Sequence, residues 1–156
     1  MYLAIIVALM VVLPVLSVGA EVSLSHVPIS MSLIAKWFVF WFVGVRLLLA
    51  GLRQITQPQY TARIILGLKS DESLVLVREL GFANVAMGLV GFCSVAIPGW
   101  RLAGALTGAV FYSLAGVNHA LQTHRNRLEN IAMGSDLLAA AILLVVCIHA
   151  AWSYIV

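Results

Sequence analysis

Five apolar runs, each close to the length needed to cross a bilayer, constrain this chain more than anything else in it. They are Tyr2 to Gly19, Met31 to Leu52, Leu74 to Ala96, Leu102 to Leu121 and Ile131 to Ile155. The first holds no polar side chain from Leu3 to Leu16, and Pro14 is placed to kink its far end. A hydrocarbon core takes about 20 residues of helix to cross, and a helix satisfies its own backbone there. The expected fold class is therefore all-α: a polytopic transmembrane bundle of five helices forming one domain over residues 1–156, since the connections leave no room for a second. Composition agrees, with 63% hydrophobic residues, 10% charged residues and a mean hydropathy of +1.07, outside the balance of a soluble globular domain. Ser17-Val18-Gly19-Ala20 would suit a signal-peptide cleavage site, but no Lys or Arg precedes the apolar run, which favours a retained helix.

Basic residues orient the helices. The connection from Ala20 to Ser30 has none, the one from Arg53 to Ser70 has Arg53, Arg63 and Lys69, the third has Arg101 alone, and the fourth has Arg125 and Arg127. Placing the richer connections in the cytoplasm puts the amino terminus inside and the carboxyl terminus outside. Trp37, Trp41, Trp100, Trp152 and Tyr154 then fall toward the outer interface as an aromatic belt. The formal charge of +3 thus reports topology, and no clustered basic and aromatic surface exists for nucleic acid. Tyr60 to Leu68, after Pro58, is too short to span and reads as a helix lying at the cytoplasmic surface, with Arg63 reaching lipid phosphate.

Ionic and amide groups inside the apolar runs are costly unless partnered, so they mark either a site or a packing device. Arg46, the doublet Arg78-Glu79, Asn84, Asn118, His119 and Asp136 all fall in the cytoplasmic half of their helices, with Asn130 just before the last run. Their convergence would make a polar recess open to the inner leaflet. In it Glu79, His119 and Asp136 would move protons, and Arg46, Arg78, Asn84, Asn118 and Asn130 would bind a ligand. Three classes of function stay open: binding or conversion of a small amphiphile or membrane lipid, passage of ions or solutes, and a scaffold whose ion pairs only specify the bundle.

No cofactor or metal is called for. His119 and His124 are five apart and lack the i,i+4 projection of paired ligands, and no phosphate-binding glycine loop, nucleophile elbow or Cys-x-x-Cys pair occurs. Cys93 and Cys147 read as packed small hydrophobes. Gly81, Gly88 and Gly91 slim the third helix for close packing. Gly104-x-x-x-Gly108 serves equally a neighbour within the chain, a second copy or a membrane-protein partner.

The segments Arg78-Glu79-Leu80-Gly81-Phe82-Ala83-Asn84, Ala115-Gly116-Val117-Asn118-His119 and Glu129-Asn130-Ile131-Ala132-Met133-Gly134-Ser135-Asp136 resemble a bacterial membrane family known only as a domain of unknown function. More loosely, the chain is similar to DoxX-like small membrane proteins, and the resemblance covers the section from about Pro58 to Asp136. The resemblance implies a helical bundle in a bacterial inner membrane and no established chemistry. DoxX-like relatives look like four-helix bundles, so the first apolar run would be an extra helix.

Overall fold

The computed structural model describes residues 2–155, and the Tyr154 side chain, assigned above to the aromatic belt, lies outside the described residues. All regular structure among them is helical. Helix α1 spans Tyr2–Ser25 and α2 spans Met31–Thr56. A short wide-turn helix α3, Tyr60–Ile65, leads to α4, Glu72–Cys93, and then come α5, Arg101–Leu121, and α6, Arg127–Ile155. Four helices, α1, α2, α4 and α6, are long and apolar enough to cross a membrane. Helix α5 has 21 residues, but Tyr112, Ser113, Asn118 and His119 dilute its apolar character.

The helix ends follow local chemistry. Ser30 caps α2 by accepting the Leu33 N–H at 3.2 Å, and Asn126 caps α6 by accepting those of Leu128 and Glu129 at 2.8 and 3.0 Å. Helix α1 outruns its apolar stretch by more than a turn, which carries Glu21 to the start of α2. There Glu21 accepts from Lys36 Nζ at 2.7 Å and from Trp37 Nε1 at 2.7 Å. This pair holds the Lys36 ammonium, and Trp41 Nε1 donates to Ser17 Oγ at 2.9 Å just below.

Helix α2 is the centre of the bundle, packed by α1, α4, α5 and α6. Its Val39, Phe42 and Val43 are fully buried and meet Ala105, Ala109 and Tyr112 of α5 and Ala139 and Leu143 of α6. Against α4 the contact is made of small residues, Gly44 and Gly51 facing Gly81, Gly88 and Gly91, so the two backbones nearly touch. Gly104 and Gly108 of α5 sit against Val39 and Val43 within the same chain. Both cysteines are free thiols.

Candidate functional site

A wide turn at Phe40–Val45 interrupts α2 just before Arg46. Through it the Arg46 N–H bonds the carbonyls of Trp41 and Val43 rather than that of Phe42 four residues back. The Phe42 carbonyl is thereby left for a side chain, and the Tyr112 hydroxyl donates to it at 2.5 Å. Such turns re-aim the residues that follow them. Here Arg46 enters the bundle interior, where its Nη2 donates to Asp136 Oδ1 at 2.6 Å and to Ser135 Oγ at 2.8 Å. The guanidinium also lies over the Tyr112 ring, 4.6 Å from its centroid. Burying an ion pair costs several kcal/mol per ion, and close geometry with added hydrogen bonds is what offsets it. Arg46 Nη1 takes no part in these contacts: it is buried and has no hydrogen-bond partner among the described residues.

Arg46, Tyr112 and Asp136 line a cavity of about 570 Å³ at the end of the bundle where α1 begins. All five long helices contribute: Tyr2 to Leu9 from α1, Arg46 to Thr56 from α2, Leu80 and Asn84 from α4, Phe111 to His119 from α5, and Ala132 and Asp136 from α6. On one side the rim is apolar and open, with Leu49 and Leu52 50% and 53% exposed. At the helix ends the exposed Arg53, Thr56 and Gln57 make it polar.

Two further polar pairs face this space. Asn84 Nδ2 donates to Gln54 Oε1 at 2.7 Å, while its Oδ1 is buried without a partner among the described residues. His119 Nδ1 lies 3.2 Å from Glu129 Oε1, both side chains being largely buried. Helix α3 covers the mouth with Tyr60, Thr61 and Ile65, and the Arg53 guanidinium stacks 3.7 Å from the centre of the Tyr60 ring. Asn126 Nδ2 ties α3 down by donating to the carbonyls of Ile64 and Ile65 at 3.2 and 2.8 Å. Asn126→Asp keeps the α6 cap but removes that donor. We expect amide exchange over Tyr60–Ile65 to quicken several-fold in it, while the first turn of α6 exchanges as in wild type; equal rates in α3 would show that the tie holds nothing.

Of the residues picked from sequence, the structure brings Arg46, Asn84, His119 and Asp136 to the cavity and leaves the other four off it. Glu79 and Arg78 are exposed. The buried face of α4 runs through Val77, Gly81, Asn84, Gly88 and Gly91, and at about 100° per residue Glu79 points about 140° away from Asn84. Glu79, His119 and Asp136 are therefore not assembled as a proton-transfer trio. Asn118 is exposed for the same reason, one residue round from His119. Asn130 accepts from Arg125 Nε at 3.0 Å and borders a separate shallow groove between α1 and α6.

Sequence reasoning missed Gln54, Ser135 and Glu129, and left Tyr112 unassigned. Spacing carried a signal for three of these. Gln54 follows Arg46 by eight residues, Tyr112 precedes His119 by seven, and Glu129 precedes Asp136 by seven, each pair sharing a helix face.

Fold and site together define an all-helical bundle with a largely apolar cavity at one end, open on one side and carrying a buried polar cluster of Arg46, Asn84, Tyr112 and Asp136. The chain belongs to DUF6790, a family of unknown function, which it matches over residues 1–154, the first helix included. No curated protein and no solved structure matches it, and nothing in these comparisons adds to the looser DoxX-like resemblance.

Proposed function

We propose that the chain is a bacterial inner-membrane protein of five crossing helices whose cavity binds a small amphiphilic or lipid-like molecule. In this reading the amino terminus is cytoplasmic, the carboxyl terminus periplasmic, and α3 lies at the cytoplasmic surface over the cavity mouth. The basic residues support the orientation: Arg53, Arg63, Lys69, Arg125 and Arg127 belong to connections at the cavity end. At the far end Lys36 is neutralised by Glu21, leaving Arg101.

One observation carries the binding reading. Arg46 Nη1 and Asn84 Oδ1 are both buried, both lack partners among the described residues, and both belong to residues lining the same cavity. An unmade buried hydrogen bond costs about 1–3 kcal/mol, more for a charged group, so such atoms call for something that completes them. The exposed leucines at the rim give an apolar tail a way in from the side, and the polar end keeps the head near water. Beyond the cavity the core is sealed by Phe42, Val43 and Leu143, all fully buried, which favours binding over passage. Mass spectrometry of organic extracts tests the proposal. Purified wild type should hold close to one amphiphile per chain, and Ala50→Phe, which fills the cavity from α2 one turn beyond Arg46, should hold at least five-fold less. Equal and trace amounts in both would overturn it.

The His119–Glu129 pair favours a second reading, in which the bound molecule is also a substrate. Glu129 holds one ring nitrogen of His119 at the cavity wall, an arrangement suited to moving a proton to or from the head group. His119→Gln would then leave the extracted amphiphile in place and change its chemical form, whereas an unaltered extract would leave simple binding as the function.

A further inference from the structure

We infer that the occupant of the cavity has an uncharged head group presenting an acceptor oxygen, as in a monoacylglycerol or a fatty alcohol, and is not an anionic lipid. This inference rests on the cavity being a binding site and adds the charge of what it takes.

The argument is a count of charges around the one unfilled donor. Arg46 is the only cation deep in the cavity among the described residues, and its charge is already matched by Asp136 at 2.6 Å. An anion on Nη1 would put two negative groups on one buried guanidinium and leave the cluster with a net negative charge in a medium that screens little. His119 and Glu129 do not relieve this. Together they carry no net charge when the imidazole is protonated and one negative charge when it is not. Arg53 lies seven residues further along α2, about 10 Å toward the mouth, where it is exposed and stacked on Tyr60. It can meet an anion at the surface and not at Nη1. A hydroxyl, ester or carbonyl oxygen accepts from Nη1 without adding charge, and a hydroxyl on the same head can donate to the unfilled Asn84 Oδ1.

The test uses the full chain in phosphatidylcholine nanodiscs, with two probes of equal tail length, monolaurin and dodecylphosphate. Each is titrated against thermal unfolding, and the shift seen with Ala50→Phe is subtracted as background. Monolaurin should bind at least ten-fold more tightly than dodecylphosphate. Asp136→Asn, which frees the Arg46 charge, should tighten dodecylphosphate by ten-fold or more. Because that variant can fail to fold, the wild-type ratio decides alone. Dodecylphosphate binding as tightly as monolaurin would overturn the neutral head group while leaving the cavity as a binding site. Neither probe shifting the wild type beyond background would overturn the binding reading itself, and this inference with it.

Discussion

Asp136→Leu should be among the most damaging single substitutions in the chain, with a loss of about 3–5 kcal/mol or no folded protein at all. The reason is the asymmetry of buried ion pairs. Arg46 is 8% exposed and makes its charged contact to Asp136 alone, so removing the carboxylate strands a guanidinium in the core beneath Tyr112. Asp136→Leu combined with Arg46→Met removes both charges and replaces them with apolar side chains of comparable shape, and such paired replacements are commonly neutral or stabilising. The double variant should therefore unfold within about 1 kcal/mol of wild type while losing the amphiphile, since the unfilled donor goes with it. Denaturant titration of the three proteins in one detergent decides the matter. A single variant as stable as wild type would mean that water already reaches Arg46. A double variant as unstable as the single one would mean that the pair holds the helices together by more than charge balance.

What could be read in the sequence divides along a physical line between depth and phase. The helices were legible because length and apolar content suffice to mark them, and the depth of Arg46, Asn84, His119 and Asp136 followed from counting along each run. Which way a side chain faces needs a second signal. On α4 that signal was present, since Gly81, Gly88 and Gly91 mark the packed face and Asn84 lies on it while Glu79 does not. Ranking Glu79 by its charge alone placed it in the site. Glu129 was hidden by its neighbours, a polar run that reads as a solvated connection until the start of α6 at Arg127 is known. The wide turn at Phe40–Val45 had no sequence mark: six apolar residues that continue an α-helix equally well, with the turn made worthwhile by Tyr112 of another helix taking the released carbonyl.

Gly44→Val should cost about 3 kcal/mol or more, although Gly44 touches neither the cavity nor any charged group. A Cβ at this position would stand 2.7 Å from the Phe92 amide nitrogen, 2.8 Å from its Cα and 2.9 Å from the Gly91 carbonyl carbon. All three are backbone atoms of α4, so no rotamer change relieves the overlap and the two helices must part. Gly134→Ala is the matched control. A Cβ there meets nothing within 4 Å, and the gain in helix propensity should leave the protein as stable as wild type or more stable by up to about 1 kcal/mol. The damage from Gly44→Val should also reach the site. Helix α4 supplies Asn84, whose amide is held against Gln54 at 2.7 Å only while α2 and α4 are in contact. Parting them opens the wall of the cavity, so the variant should lose bound amphiphile along with stability. If instead it unfolds like wild type and retains the amphiphile, the glycine contact is not what sets the spacing of the cavity walls.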